Sequence, residues 1–322
     1  MQGFQKVVGH QEIITHLQNA ISMNKVSHAY LFGGESGSGK KMMASLFAMT
    51  LQCEKHGVEP CMECPSCKKA QSQNHPDIIY VKHEKPNTIS IDEIREQLIN
   101  DVMIKPYSSP YKIYIIDEAQ KLTLQAQNAL LKTIEEPPVY AVVMLLADNP
   151  DALLPTISSR CVQLNLKPVG DQLVKDYLMN EMHVPDYQAE VDASLAQGNI
   201  GKAERIARSP EYEETLENAL RMAKYADSMP LYEIVETIKK LTAEKDNIDD
   251  YFDIFSLWFR DVLLFKATKE VDSLVFKQEL NGIRERANKS SYEGLEKIIE
   301  AIQKARARLN ACLLYTSDAA DE

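Results

Sequence analysis

The sequence predicts an α/β domain built on a parallel sheet, followed by domains made of helices alone. Strand and helix signals alternate through the first half of the chain, an order typical of a parallel sheet covered by helices. Lys112–Ile116 is apolar without alternation, as expected of a strand buried on both faces. After Pro168 only helical periodicity remains. We therefore expect an α/β core at residues 1–168, a small helical unit at 169–208 and a larger one at 209–311.

Within the core, short apolar runs indicate strands, and longer periodic stretches indicate helices. The predicted strands are His28–Phe32, Asp77–Val81, Lys112–Ile116 and Ala141–Leu146. The predicted helices are Lys40–Cys53, Ser90–Val102 and Thr123–Glu135. The second helix opens with a capping box of Ser90 and Glu93, and the third stops at Pro137 and Pro138.

The larger helical unit shows two apolar stripes at helical spacing. We expect both to form helix-packing core rather than a ligand pocket. The first stripe is Tyr251, Phe255, Trp258, Val262 and Phe265, and the second is Leu295, Ile298, Ile299, Ile302 and Leu309. A capping box of Ser290 and Glu293 is predicted to open the last helix.

Composition excludes several classes of protein. No apolar run approaches the roughly 20 residues that cross a bilayer, and the N-terminus lacks the basic and apolar regions of a signal peptide. We therefore expect a cytoplasmic protein. The formal charge of −11 argues against a protein that coats nucleic acid through its overall field.

The last residues, 312–322, match a translation of a common sequencing-library adapter. Our hypothesis is that they are an artefact of gene assembly, so they are left out of the fold prediction. The last helix of the larger unit would then be truncated.

A phosphate-binding loop is predicted between the first strand and the first core helix. Gly34, Gly37 and Gly39 allow backbone N–H groups to turn toward a phosphate, and Lys40 adds positive charge. The pattern requires Ser or Thr at the next position, where the hydroxyl binds Mg²⁺, but this chain has Lys41. An ammonium group repels a metal cation. The residues therefore argue against Mg²⁺ and leave ATP binding open.

Two acids follow the buried strand that ends at Ile116. Asp117 and Glu118 stand where P-loop ATPases carry the pair that orients Mg²⁺ and polarises the attacking water. The alternative is two solvated acids at a strand end.

Four cysteines form a C-x7-C-x2-C-x2-C pattern that is typical of a structural Zn²⁺ site: Cys53, Cys61, Cys64 and Cys67. Pro60 and Pro65 favour a knuckle over a helix here. An iron–sulfur cluster and free thiols are the alternatives. Cys161 is expected to be a small buried apolar residue.

Two further segments carry a family resemblance. Residues 126–138, AQNALLKTIEEPP, and residues 153–161, LLPTISSRC, resemble the clamp-loader branch of the AAA+ ATPases. With the cysteine insertion after the phosphate-loop helix, the chain is similar to bacterial members, and over residues 1–311 to the delta-prime family of DNA polymerase III subunits. The resemblance implies an AAA+ core, a helical lid at 169–208 and a collar for oligomerisation at 209–311.

The resemblance also implies roles for single residues. Val8 falls in the segment that lines the adenine pocket of active relatives, and Asp148 at the first sensor position. Arg160, in the Ser-Arg-Cys motif, corresponds to an arginine finger that reaches a neighbouring subunit's ATP site in trans. In the second sensor segment, Gly201 stands where active relatives have an arginine.

The loss of a hydroxyl at position 41 and of an arginine at position 201 predicts a vestigial nucleotide site. We expect a subunit without ATPase activity of its own, within a DNA-directed DNA polymerase holoenzyme. Its partners would be gamma/tau and delta subunits and, through the assembled ring, the sliding clamp and primed DNA.

Two rival interpretations stay open. One is an ATP-hydrolysing gamma/tau-like motor, which Lys40, Asp117 and Glu118 favour. The other is a zinc-dependent DNA-binding repair module, which the net charge and the few lysines around the cysteines oppose.

Overall fold

The first half of the chain folds around a five-stranded sheet, in which every neighbouring pair of strands is parallel. The strand order is β2-β3-β4-β1-β5. The strands are β1 (Ala29–Gly33), β2 (Ile78–Val81), β3 (Lys112–Ile116), β4 (Ala141–Ala147) and β5 (Val162–Asn165). The structure, a computed structural model, describes residues 3–225, 229–230, 232, 235–236 and 248–318, with side chains as far as residue 309. The predicted parallel sheet is confirmed.

The central strands are buried on both faces, as their unbroken apolar sequences predict. Every residue of β1, β3 and β4 is buried. Alternate residues of a strand point to opposite faces, so Tyr30 and Phe32 join one core while Ala29 and Leu31 join the other.

Helices cover both faces of this sheet. The helices of the first half are α1 (Gln11–Ser22), α2 (Lys40–Leu51), α3 (Pro65–Gln71), α4 (Ile91–Ile94), α5 (Leu124–Glu135) and α6 (Pro155–Ser158). Phe47 of α2 packs into the first core, and Leu130 of α5 packs into the second. The capping box of Ser90 and Glu93 is present, but α4 is short and continues as a π-helical stretch, Arg95–Ile99.

Two elements differ from the sequence-based expectation. The prolines of the cysteine segment favoured a knuckle without helix, yet α3 begins at Pro65. Proline suits the first position of a helix because its missing N–H has no partner there in any case. Strand β5 was not predicted, since its alternating sequence is short and only Leu164 is buried.

The helical second half contains α7 (Asp171–Met182), α8 (Asp186–Ala196), α9 (Ile200–Arg208), α10 (Pro210–Tyr225), α11 (Ile248–Thr268), α12 (Leu280–Lys289) and α13 (Tyr292–Asp318). Trp258 and Val262 of the first predicted stripe are fully buried, so that stripe is core. Leu295 of the second stripe is also buried. The backbone of α13 includes residues 312–318, which leaves the adapter hypothesis untested.

The capping box predicted at Ser290 is wrong. Ser290 caps the C-terminal end of α12, and the hydroxyl of Ser291 accepts the hydrogen bond from the Gly294 N–H at 3.0 Å. The cap therefore lies one residue later than the sequence pattern suggested.

The described chain divides into two compact units. The first comprises Met1–Leu173 with Asn199–Lys202, and the second comprises Val174–Gly198 with the chain from Ala203 onward. Within the described residues, no helix is long and apolar enough to span a membrane.

Candidate functional site

The predicted phosphate-binding residues meet at one edge of the sheet, which we call the phosphate edge. Gly34 follows β1, Asp117 follows β3 and Asp148 follows β4, and these strands are neighbours in the sheet. Carboxyl ends of parallel strands share an edge, where α/β proteins place their ligand sites. The sequence thus identified residues from three distant segments that the fold brings together.

Between β1 and α2 the chain forms a glycine-rich turn with left-handed backbone. Gly37 and Gly39 have φ angles of 83° and 96°. A Cβ on Gly37 would also lie 2.8 Å from the Asn199 side-chain oxygen. These conformations and contacts favour glycine. The phosphate loop has the expected place, between a strand and a helix.

Lys40 does not face open space at this edge. Its ammonium group donates to the carbonyl oxygens of Gly34 at 2.6 Å and Glu35 at 2.8 Å, and to Asp148 Oδ1 at 2.6 Å. An ammonium group has three N–H donors, so all three are used within the chain. The Lys40 side chain is only 8% exposed. Sequence reasoning placed Lys40 and Asp148 at the site but missed their pairing.

The acids at the phosphate edge are paired with other lysines. Lys41 Nζ lies 3.0 Å from Asp117 Oδ2, and Lys121 Nζ lies 2.7 Å from Glu118 Oε1. A lysine ammonium therefore stands against the carboxylate that orients Mg²⁺ in active P-loop enzymes. Residues of this kind do not fit a bound Mg²⁺ ion.

Gln120 is a further polar residue of this edge, which sequence reasoning missed. Its Oε1 accepts the Asp148 backbone N–H at 3.1 Å. Because it lies just past the acidic pair, its position in the sequence could have suggested it.

The segment predicted as the second sensor packs directly on the predicted phosphate loop. The backbone N–H of Gly201 donates to the Gly37 carbonyl at 3.0 Å, and Asn199 Nδ2 donates to the Ser36 carbonyl at 2.8 Å. A Cβ on Gly201 would lie 2.6 Å from the Gly37 carbonyl oxygen. The contact between the two backbones leaves no room for a side chain, an arginine included.

Val8 lies half-buried on the same unit. The next residue, Gly9, has a φ of 72°, and a Cβ there would lie 2.4 Å from Cγ1 of Val169. Burial lowers the pKa of the neighbouring His10, and a hydrogen bond with the Ser38 backbone opposes that shift.

Arg160 stands just after α6 with its side chain 41% exposed. Its Nη2 lies 2.9 Å from Glu135 Oε1, and its Nη1 donates to the Thr156 carbonyl at 2.9 Å. Glu135 was not singled out from the sequence. Cys161 is half-buried against the core, and burial raises the pKa of its thiol to about 12.

The four cysteines form a cluster that could hold a metal ion. Their Sγ atoms all lie within 4.8 Å of one another, and those of Cys61 and Cys67 are 3.9 Å apart. Tetrahedral Zn²⁺ with bonds of about 2.3 Å needs sulfurs roughly 3.8 Å apart. Backbone N–H groups of Cys64 and Glu63 lower the pKa of the Cys61 thiol to about 6. The residues present fit a closed thiolate site.

The cysteine segment is built around α3. Cys64 caps this helix, since its Sγ accepts the Cys67 N–H at 3.3 Å. The Ser66 hydroxyl, between them in the chain, donates to the Gln52 carbonyl at 2.6 Å and contacts His75 Nε2 at 3.0 Å. The cluster is thereby fixed to the end of α2 and to the segment before β2.

Comparison with known proteins identifies the family of the chain. Residues 9–170 match the family described as DNA polymerase III, delta subunit, and residues 214–313 match the C-terminal family of that subunit. Subunit delta′ of DNA polymerase III from Bacillus subtilis (strain 168) is 31% identical, covering 92% of this chain and 89% of that protein. The chain belongs to the delta-prime family of DNA polymerase III clamp-loader subunits.

Other relatives of this delta-prime family member include tau subunits. DNA polymerase III subunit tau of the same Bacillus strain is 30% identical, covering 96% of this chain and 58% of that protein. A gamma subunit-related protein from Thermotoga maritima has a solved structure with a TM-score of 0.46 and 20% identity, over 90% of this chain and 91% of that one.

Proposed function

We propose that this delta-prime family member is a stator of the clamp loader. It hydrolyses no ATP itself and supplies Arg160 in trans to the ATP site of a neighbouring gamma/tau subunit. Its partners are gamma/tau and delta subunits, and the assembled ring acts on the sliding clamp and primed DNA. Chemically, the subunit contributes one guanidinium group to another subunit's reaction.

The hydrogen bonding of Lys40 carries this proposal. A P-loop lysine that serves ATP must direct its ammonium group at the β- and γ-phosphates. Here the group is buried and its three donors are taken by Gly34, Glu35 and Asp148. A phosphate could be bound only by breaking these contacts, and part of the gain in binding would be lost.

Two further contacts support a nucleotide site that does not turn over. Lys41 occupies the position of the Mg²⁺-binding hydroxyl and pairs with Asp117. The contact of Gly201 with Gly37 excludes the sensor arginine. The first contact concerns the metal ion and the second concerns the sensor arginine, so restoring one group would leave the other missing.

Arg160 supports the other half of the proposal. A guanidinium group has five N–H donors, and two of them are used by Glu135 and Thr156. The remaining donors and the exposure of the side chain leave Arg160 able to contact a phosphate on another subunit. There it would stabilise the negative charge that develops in the transition state.

We further propose that the four-cysteine cluster holds structural Zn²⁺, which would stabilise the fold of the segment from Cys53 to Cys67. The core, lid and collar at residues 1–168, 169–208 and 209–311 are proposed as the functional domains. The cytoplasm, where replication proteins of this family act, is the proposed location.

The motor interpretation is the second candidate. The intact geometry of the glycine-rich turn and the identity to the tau subunit of Bacillus subtilis favour it. It requires Lys40 to exchange its three protein contacts for phosphate contacts.

Single-turnover ATP hydrolysis by the ring assembled with gamma/tau and delta tests the proposal. Arg160→Ala should slow hydrolysis at the one ATP site that Arg160 is proposed to contact, which would appear as one kinetic phase. The expected change is on the order of 10³-fold, the scale of a lost arginine finger. Arg95→Ala is the matched control, because Arg95 also forms an exposed ion pair on this unit. The isolated protein should be inert. The proposal would be contradicted by ATP hydrolysis in the isolated protein. It would also be contradicted if the ring with Arg160→Ala hydrolysed ATP at the wild-type rate.

A further inference from the structure

We infer that Glu135 is a positioning residue for Arg160. It holds the guanidinium group in the orientation that a neighbouring subunit's phosphate requires. This inference rests on the proposed role of Arg160 in trans. It adds a residue that acts through Arg160 and does not itself touch nucleotide.

An arginine on a surface has many rotamers, and ordering it costs free energy when a ligand binds. Arg160 is anchored at two points that belong to different helices. Nη2 pairs with Glu135 at the last position of α5, and Nη1 donates to the Thr156 carbonyl of α6. Two anchors from separate elements fix the plane of the guanidinium group, whereas one anchor would leave it free to rotate.

The Thr156 anchor follows from the short length of α6. This helix has only four residues, and the backbone N–H groups that follow it bond to the carbonyls of Pro155 and Ile157. The Thr156 carbonyl accepts from side chains instead, from the Ser159 hydroxyl at 3.3 Å and from Arg160. The Arg160 side chain supplies a donor at that end, where a positive charge is also favoured by the helix dipole. The anchor is therefore built into the local structure around Arg160.

The Glu135 anchor is less expected. A carboxylate at the C-terminal end of a helix such as α5 is disfavoured by the helix dipole. Pairing with Arg160 offsets this penalty. The pair thus accounts for an acid at a helix position that electrostatics alone would disfavour.

The two helices are also joined at a second point, about two turns of α5 away from this pair. Gln127 of α5 is buried, and its Oε1 accepts the backbone N–H of Leu154, just before α6, at 2.8 Å. Its Nε2 donates to the Leu122 carbonyl at 3.0 Å. This contact joins the start of α6 to α5, the helix that carries Glu135.

The pairing also leaves Arg160 usable. Because only two of the five donors are occupied, Arg160 can keep both anchors while the rest of the fork contacts a phosphate. Glu135 is therefore expected to help the reaction through orientation.

The test measures single-turnover ATP hydrolysis in the assembled ring for Glu135→Gln, with Glu136→Gln as the control. Glutamine keeps the size of the side chain and removes its charge. Glu136 is an exposed neighbour, and Arg160 pairs with Glu135 instead. We expect Glu135→Gln to slow the Arg160-dependent phase about fivefold, the scale of one exposed ion pair. Its apparent KM for ATP should be unchanged, and Glu136→Gln should behave as wild type.

A double variant separates positioning from a general structural effect. In the Arg160→Ala background, Glu135→Gln should cause no further loss, because there is no guanidinium group left to orient. Glu135→Asp should recover part of the rate, and salt should reduce the difference between wild type and Glu135→Gln.

Other outcomes identify which step is wrong. If Arg160→Ala leaves hydrolysis unchanged, the proposed function and this inference both fail. If Arg160→Ala slows hydrolysis but Glu135→Gln does not, or accelerates it, only the positioning role is wrong. A loss that persists in the Arg160→Ala background would likewise overturn it.

Discussion

Lys40 and Arg160 are both cations held beside a carboxylate on the same unit, but they use their donors differently. Lys40 is buried and gives all of its donors to groups of its own chain. Arg160 is partly exposed and gives two of five. Whether a charged residue of a motif can bind a ligand therefore depends on how many of its donors the chain itself leaves unused. Lys40 has no donor left for a phosphate, whereas Arg160 has donors left.

The largest effect is expected at the contact that closes the phosphate loop. Gly201→Ala should lower the free energy of unfolding by about 1–3 kcal/mol, because the new Cβ would meet the backbone of Gly37. Alanine normally stabilises a helix relative to glycine by about 1 kcal/mol, so the sign of the change tests the contact. Chemical denaturation measures it.

Gly170→Ala is the control for that variant. A Cβ on Gly170 meets no atom within 4 Å, so only the place of Gly170 directly before α7 matters and the loss should stay below about 1 kcal/mol. If Gly201→Ala lowered the free energy of unfolding no more than Gly170→Ala does, Gly201 would not be in tight contact with Gly37. The contact would then not exclude a side chain at position 201.

Lys40 and Arg160 should differ in how much each contributes to the free energy of unfolding. Lys40→Met removes a buried ammonium group and leaves Asp148 and two carbonyl groups without their partner, so we expect a loss of about 2 kcal/mol in unfolding free energy. Arg160→Met removes a half-exposed pair and should cost less than about 1 kcal/mol. Denaturation of the isolated protein gives both values.

Equal losses for these two variants would be the contrary result. They would mean that burial does not distinguish Lys40 from Arg160. If Arg160→Met slowed ATP hydrolysis by the assembled ring without lowering the free energy of unfolding, Arg160 would act in the reaction rather than in folding.

The smallest effect is expected at Lys41. Lys41→Thr restores the residue type that binds Mg²⁺ in active P-loops and breaks an exposed pair, so stability should change by less than about 1 kcal/mol. The isolated protein should still release no phosphate from ATP, because Lys40 and Gly201 are unchanged. Lys41→Ala separates loss of charge from gain of the hydroxyl. Hydrolysis that appears with threonine alone would show that one residue had closed the site.

Local sequence signals predicted much of this fold. Apolar runs located β1 to β4, and the order of strands and helices implied that they are parallel. β5 escaped because four alternating residues carry little signal, and α3 because proline was taken to oppose a helix that it opens. The cap of α13 was displaced by one residue, since Ser290 and Ser291 are equally good caps in sequence.

In the candidate site, too, the sequence identified some residues and not others. Residues named from motifs, such as Gly37, Lys40 and Asp117, do meet at one edge of the sheet. Their partners could not be read from the chain, because Lys40 and Asp148 lie 108 positions apart and pair only once β1 and β4 are neighbours. Glu135, at the end of α5, gained a role only through its distance from Arg160.

Residue type and short spacing were enough to locate β1 to β4 and most of the helices, the candidate residues for phosphate and metal, and the two positions where the chain departs from active P-loop ATPases. The pairing of charges became visible in the fold alone: Lys40 with Asp148, Lys41 with Asp117 and, in part, Arg160 with Glu135. Charge pairing depends on distances of about 3 Å between residues far apart in the chain, and folding sets those distances.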